Sequence, residues 1–320
     1  MPLRVVLTDH TFPDLSIEQG ILDPLGIRLE AAQCRTVEEV AAFTADADVV
    51  ITQFAPVHAP AIAAMKKARA IIRYGIGVDN VDLEAASAKK IPVCNIPDYC
   101  LDEVADHTLS FILALTRQIM PNALVIRQGE WKLGAPVQSI RCLKGMTVGV
   151  VGFGRIGRAV AKRLAAFGSP LLVFDPAVGQ ADVASAGARS VGLDKLLAGS
   201  DIVTLHCPSL PSTRGMINRS RIALMKAGVL FVNASRGDLV VTEDLIEALR
   251  SGHVAGAALD VTQPEPLPAD SPLRSFPQVI LSPHIASVSP EAIRRLHETV
   301  AGLAADAAQA KPLRNIVNRI

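Results

Sequence analysis

The sequence predicts an α/β protein built from two doubly wound parallel sheets. Two observations carry that reading. Short β-branched apolar runs alternate with amphipathic segments from residue 4 to 96, and again from 147 to 283. That is the pattern of a parallel sheet with helices on both faces. The second series also places Gly152, Gly154 and Gly157 as G-x-G-x-x-G between a strand and a helix, the turn that opens a dinucleotide-binding unit.

In the first series the strand-like runs are Arg4–Thr8, Ile27–Ala31, Asp48–Thr52, Ala70–Arg73 and Pro92–Ile96. Between them lie helical patterns at Ser16–Leu22, Val37–Phe43, Ala59–Ala68 and Leu83–Lys89. Asn95-Ile96-Pro97-Asp98 reads as a hinge, because Pro97 cannot continue a central strand and holds its predecessor extended. A long helix is expected from about Leu101 to Met120, opened by Asp102 and Glu103 and stopped by Pro121. Residues 122 to 145 then read as irregular and carry the only Trp, Trp131. An exposed Trp on such an arm marks a subunit contact; a buried one would cap the chain's own core.

From Thr147 the pattern is βαβ. Thr147–Val151 is a strand; Ile156, Val160, Leu164 and Phe167 recur at helical spacing; Leu171–Phe174 is the next strand, ending in Asp175. The glycines allow a tight turn, close approach of a pyrophosphate and close helix–strand packing. The pyrophosphate would sit on the helix N-terminus at Arg155 and Ile156, where free N–H groups and the dipole favour anions. Asp175 falls where an acid meets an adenosine ribose. It would accept from both ribose hydroxyls and repel a 2′-phosphate, and Pro176-Ala177-Val178 offers no cation to hold one, so the expected cofactor is NAD. Later strands are Asp201–His206, Val229–Ala234, Ala255–Asp260 and Val279–Pro283, with helices at Leu193–Leu197, Asn218–Lys226 and Thr242–Arg250. The last helix, Ser289–Ala310, follows the final strand and would cross back to finish the first domain.

The totals fit this reading and narrow the partners. The 320 residues suffice for two domains, and a chain half hydrophobic and 20% charged suits a large core. A net charge of +1 gives no bulk case for nucleic acid or an anionic membrane. Cys34, Cys94, Cys100, Cys142 and Cys207 are odd in number and lack CxxC spacing. They read as reduced thiols in a cytoplasmic protein, with neither a disulfide frame nor a metal site. The opening MPLRVVLTDH reads as a strand and not as a signal peptide, and the longest apolar run, Phe111–Leu115, is too short to span a bilayer.

Ligands of open α/β sheets sit beyond the carboxyl ends of the strands. There the chain places His206, Arg236, Asp260 and His284, each just after a buried strand. Taken alone, His206 also reads as a core histidine and Asp260 as the cap of a turn. Arg236 offers a planar fork to a carboxylate and a neighbouring carbonyl. His284 is the natural proton donor and acceptor. It needs a carboxylate to hold its tautomer, and Glu265, between Pro264 and Pro266, is placed to supply one; the alternative is a solvated loop acid.

With these residues in place the chain resembles the D-isomer-specific 2-hydroxyacid dehydrogenases over nearly its whole length. The resemblance rests on GFGRIG, on Phe231-Val232-Asn233-Ala234-Ser235-Arg236-Gly237, on the GAALDV strand, the PEP loop and PHIA, all in family order. It implies a catalytic trio of Arg236, Glu265 and His284. It gives Asp260 to the nicotinamide amide of NAD, His206, Cys207, Pro208 and Thr213 to the adenosine side, and Ala234 to the cofactor as well. It makes Tyr74-Gly75-Ile76-Gly77-Val78-Asp79-Asn80 the substrate loop, with Tyr74, Ile76 and Gly77 at the substrate, and it puts Tyr99 where some D-lactate dehydrogenases carry a substrate-facing Tyr. The fold it implies is a flavodoxin-like, discontinuous substrate domain, 1–98 with 287–320, and a Rossmann NAD-binding domain, 99–286. A cleft would lie between them and close on substrate, and a dimerisation arm would lie near 122–145, making a twofold homodimer.

Within the family, the substrate loop lacks the Lys of phosphite dehydrogenases, and Glu265 is replaced in formate dehydrogenases, so neither substrate is expected. Long 3-phosphoglycerate dehydrogenases carry a further C-terminal domain. The run IIRYGIGVDNVD…VCNIPDYC…EVADHTL resembles especially the C-terminal-binding-protein branch, in which the position of His107 touches the cofactor. Two readings follow. One is an NAD-dependent enzyme that interconverts a small D-2-hydroxy acid and its 2-oxo acid. The other is an NAD(H)-sensing binding protein with secondary dehydrogenase activity. The intact trio favours the enzyme.

Overall fold

The computed structural model describes residues 3–320, and the chain separates into two compact units. One comprises the residues up to Tyr99 together with Ser289–Ile320; the other is Cys100–Val288.

The first unit begins with β1 (Arg4–Leu7), α1 (Ser16–Leu22), β2 (Arg28–Ala31), α2 (Val37–Thr44), β3 (Val49–Thr52), α3 (Ala59–Ala64), β4 (Ile71–Arg73), α4 (Leu83–Ala88) and β5 (Val93–Cys94). The strands are all parallel, in the order β2-β1-β3-β4-β5. That is the flavodoxin-like order. Apolar residues at both faces of β3 and β4 leave every residue of these strands buried, as a sheet covered on two sides requires. Thr36 caps α2 in a reciprocal box with Glu39, and Asp82 caps α4, each cap contributing about 1 kcal/mol. α3 ends at Ala64, earlier than the sequence suggests, because Met65 turns extended and drops its side chain into the core.

The second unit opens with α5 (Leu101–Thr116) and α6 (Ile119–Arg127). Here the expectation of one helix stopped by Pro121 is corrected. The break falls at Gln118, which takes a left-handed φ of 51°, and the chain resumes as α6 at an angle of 67°. Pro121 lies in the first turn of α6, where its missing N–H removes no helical bond. No residue of α6 is buried, and Trp131 beyond it is 94% exposed, so it does not cap the chain's own core.

The remainder is β6 (Val148–Val151), α7 (Arg155–Ala166), β7 (Leu171–Phe174), α8 (Gln180–Ser185), β8 (Arg189–Ser190), α9 (Leu193–Gly199), β9 (Ile202–Leu205), α10 (Arg219–Leu224), β10 (Val229–Asn233), α11 (Thr242–Arg250), β11 (Val254–Leu259) and β12 (Val279–Leu281). The sheet runs β12-β11-β10-β9-β6-β7-β8, all parallel. Counted from β6 this is the Rossmann order 3-2-1-4-5-6 with a seventh strand added. The sequence reading missed α8 and β8; β8 is a two-residue polar edge strand with no apolar run to announce it. Central strands β6, β9 and β10 are buried at every residue. The last helix, α12 (Pro290–Ala308), capped by Ser289, packs on α1, β3 and β4 and so belongs to the first unit. Among the described residues, no single helix is long and apolar enough to cross a membrane.

Candidate functional site

The order of strands reverses between β6 and β9, and the glycine turn follows β6 at that switch point. Gly152 has φ +93°, and a Cβ there would lie 2.6 Å from the backbone of His206 and Cys207. A Cβ on Gly157 would lie 2.1 Å from Gly152 O, so helix and turn touch through backbone alone. Nothing lies within 4 Å of the place a Gly154 Cβ would take, and α7 starts there with no side-chain cap and no acid in its first turn. Uncapped N–H groups facing open space are what a pyrophosphate needs. Arg155 is exposed and Ile156 half-buried beside them. Asp175, at the end of β7, accepts from the N–H of Phe153 (2.7 Å) and of Ala177 (2.8 Å), and stays partly exposed. A carboxylate has lone pairs left after two such bonds, so the turn and its acid fit an adenine dinucleotide.

Arg236, Glu265 and His284 follow the ends of β10, β11 and β12, three neighbouring strands. The buried amide of Asn233 shapes the turn to Arg236: its Oδ1 accepts from Ser235 N (3.0 Å) and its Nδ2 donates to Arg236 O (2.8 Å). Gly237 lets this turn touch the next one, since a Cβ there would lie 2.0 Å from Thr262 O. His284 Nδ1 stands 2.6 Å from Glu265 Oε1. Partial burial works to raise the Glu265 carboxyl, but the hydrogen bond and charge of His284 outweigh it, with help from the Thr262 N–H and Arg236, and hold it below the usual carboxylate range. An ionised Glu265 only accepts, so Nδ1 carries the hydrogen of that bond. A cavity of about 380 Å³ opens beside the pair, lined among others by Thr262, Leu267, Ser282 and Pro283.

His284 has φ +54°, a left-handed conformation that non-glycine residues rarely adopt. Asp260 holds it there. Its carbonyl accepts His284 N–H (2.8 Å), and its carboxylate accepts Ile285 N–H, Ala286 N–H (both 2.9 Å) and the Ser282 hydroxyl. That carboxylate is 1% exposed. Its oxygens serve the turn that carries His284. His107 Nε2 lies 3.2 Å from Ser282 Oγ, and its side chain is partly exposed.

The His206 ring is held by its own strand. Its Nε2 lies 2.9 Å from Thr204 Oγ1 and its Nδ1 is buried. Burial pushes its pKa down to about 3, so the ring is neutral and turned onto its own strand, while its backbone walls the glycine turn. Cys207 is buried, with Sγ 3.8 Å from Met216 Sδ and a carbonyl that accepts the Ser235 hydroxyl. Thr213 Oγ1 donates to Pro208 O at 2.7 Å and closes that loop. Ala234 is half-buried after β10.

In the first unit the loop after β4 begins with Tyr74. Its ring is 2% exposed and its hydroxyl donates to Glu18, which His297 Nδ1 also contacts at 2.5 Å. The Tyr74 side chain is thus a core group, which leaves only its backbone to the loop. Ile76 and Gly77 are partly exposed, and Asn95 Nδ2 donates to Ile76 O at 2.7 Å, fixing the loop. Tyr99 is half-buried, with its carbonyl bonded by Arg295. The sequence reading missed Arg73. Its guanidinium lies over Gly75, 1.8 Å from where a Cβ would stand, beside the Tyr99 hydroxyl and 5.8 Å from the Phe54 ring centroid. The signal was an Arg ending an otherwise apolar strand.

Comparison with known proteins gives three kinds of match. Residues 109–286 match the family model described as D-isomer specific 2-hydroxyacid dehydrogenase, NAD binding domain. D-3-phosphoglycerate dehydrogenase of Mycobacterium bovis is 40% identical over 265 residues, 82% of this chain, which spans only 50% of that protein's length. A hydroxypyruvate reductase of Blautia hydrogenotrophica is 34% identical over 321 residues, covering 98% of this chain and 99% of its own. Among solved structures, D-lactate dehydrogenase from Aquifex aeolicus, complexed with NAD and lactic acid, superposes with a TM-score of 0.86 at 28% identity, covering 96% of each chain.

Proposed function

The chain belongs to the D-isomer specific 2-hydroxyacid dehydrogenase family, and on that premise we propose that it interconverts a small D-2-hydroxy acid and its 2-oxo acid with NAD, using Arg236, Glu265 and His284. The observation that carries this is the 2.6 Å Glu265–His284 contact at the strand ends next to Arg236, in the same unit as a glycine turn that fits a dinucleotide. A loop acid that merely faced water would have no reason to hold an imidazole at that distance.

Bound NADH supplies the hydride to the carbonyl carbon. Arg236 holds the substrate carboxylate and carbonyl with its planar fork and stabilises the charge that grows on the carbonyl oxygen. His284 gives that oxygen its proton from Nε2. Glu265 keeps the Nδ1 hydrogen in place and stabilises the imidazolium before transfer. In the oxidation direction, neutral His284 takes the proton back. Asp175 selects NAD by accepting from the ribose hydroxyls and repelling a 2′-phosphate.

The protein is proposed to act as a homodimer. Ile119, Met120, Leu124, Leu133, Val137 and Trp131 are all exposed on α6 and the arm after it, the kind of apolar surface that a subunit contact covers. A reducing, cytoplasmic setting is supported by five free cysteines, four of them buried. The test is turnover of NADH with a panel of pyruvate, hydroxypyruvate and glyoxylate, and of NAD with D-lactate and D-3-phosphoglycerate. Turnover of any one of them supports the dehydrogenase. NADH binding with no turnover across the panel would leave the NAD(H)-sensing reading instead.

A further inference from the structure

His107 is a polar side chain that the chemistry above does not use. It sits on α5 with its ring edge-on to Phe111, centroids 4.3 Å apart, and is one-fifth exposed. Its Nε2 is 3.2 Å from Ser282 Oγ and 3.7 Å from Asp260 Oδ1. The single hydroxyl hydrogen of Ser282 goes to Asp260 Oδ1. Ser282 Oγ must then accept from His107, so the hydrogen sits on Nε2. The result is a directed chain from the imidazole through the hydroxyl to the carboxylate.

That chain ends on the group that holds the catalytic turn. The oxygen that receives the Ser282 hydroxyl also receives Ile285 N–H, and the other receives Ala286 N–H. Asp260 can bind them only if its carboxylate keeps one orientation about its last torsion, and that torsion is broad in a side chain left to itself. The Ser282 hydroxyl fixes it, and His107 fixes the hydroxyl. We propose that His107 is a positioning residue for His284: through Ser282 and Asp260 it sets the left-handed turn that aims the catalytic imidazole. The proposal rests on His284 being the proton donor of the proposed reaction. It differs from a direct cofactor contact, which the family resemblance assigns to this position.

The two roles separate experimentally. His107→Phe keeps the ring and its packing on Phe111 but removes Nε2, Ser282→Ala removes the middle of the chain, and His107→Gln keeps a donor on a side chain of similar reach. A positioning role expects His107→Phe to lower kcat about tenfold or more, with the Kd for NADH, read by fluorescence, within about twofold of wild type. His107→Gln should recover most of that loss. The His107→Phe/Ser282→Ala double variant should be no worse than the poorer single, because both cut one chain. In the protein without ligands, NMR hydrogen exchange of the Ile285 and Ala286 amides should speed up about tenfold in His107→Phe and Ser282→Ala alone. Should His107→Phe fail to fold, Ser282→Ala and His107→Gln carry the same readings. Additive losses, unchanged exchange at Ile285 and Ala286, or weaker NADH binding with kcat intact would overturn the proposal. Absence of wild-type turnover would count against the dehydrogenase reading, and the exchange rates would still judge His107.

Discussion

Two carboxylates that each accept from a few well-placed donors account for most of the chemistry proposed here. Glu265 is held below the usual carboxylate range mainly because the bond and charge of His284 outweigh partial burial, and the interaction is mutual. Glu265→Gln keeps the shape and removes the charge, so the imidazolium loses its stabilising anion. In both directions kcat/KM should fall about tenfold or more, with the Kd for NADH within about twofold of wild type. An unchanged kcat/KM would mean that the two side chains are uncoupled during the reaction. His284→Ala should cost about 10²–10⁴-fold in either direction. Arg236→Lys should be nearly as damaging, since an ammonium cannot form the two-pronged contact. At the other carboxylate, Asp175→Ala should weaken NADH by about tenfold, the worth of a charged hydrogen bond, and should narrow the preference over NADPH. A wild type that uses both cofactors equally would contradict this role for Asp175.

At the scale of elements, close backbone contacts decide whether neighbouring strand ends can cooperate. Gly237 lets the turn carrying Arg236 touch Thr262, three residues before Glu265. Gly237→Ala inserts a methyl 2.0 Å from Thr262 O, so one turn must shift. The expected outcome is a stability loss of about 1–3 kcal/mol and a fall in kcat larger than the change in the Kd for NADH. In the first unit α1 and α12 are stapled by Glu18 and His297, with the Tyr74 hydroxyl as a third member. Burial works to raise the Glu18 carboxyl, but the bonds from His297 and Tyr74 outweigh it and hold it low. A carboxylate whose native pKa is depressed stabilises the fold above its unfolded value of 4.5, and that contribution is lost as pH falls through the native value. Glu18→Gln should cost about 1–3 kcal/mol at neutral pH, because a buried acceptor loses its charge and its hydrogen bonds to His297 and Tyr74 weaken. It should also flatten the loss of urea stability on the acid side. An acid limb as steep as that of wild type would show that other carboxylates govern it.

For the molecule as a whole, the exposed apolar face of α6 and the arm is the feature that a single chain leaves without a partner. Trp131→Ser together with Leu124→Ser should shift a dimer toward monomer in light scattering at micromolar concentration, with circular dichroism unchanged. A wild type that is already monomeric there would remove this face as a subunit contact.

Both doubly wound sheets were legible in the sequence because a strand covered on two faces must be apolar throughout. Buried runs such as those before His206 and Arg236 therefore announce themselves, and the glycine turn is legible because no side chain fits at Gly152 or Gly157. Arg236 and His284 could be named as candidates from their places after such strands, whereas Glu265 needed the family resemblance to choose it over a solvated loop acid. The sequence could not show which way a polar side chain turns at a strand end. That depends on donors far along the chain: Ser282 and the Ile285 and Ala286 amides claim Asp260, Thr204 takes up His206, and Glu18 claims Tyr74. The break at Gln118 was equally hidden, since a left-handed residue between two helices leaves no periodic mark and Pro121 is harmless in a first turn. Burial can be read from sequence because it is a local demand on residue type. The pairing of polar groups is a demand on three-dimensional neighbours, and only the tertiary structure decides it.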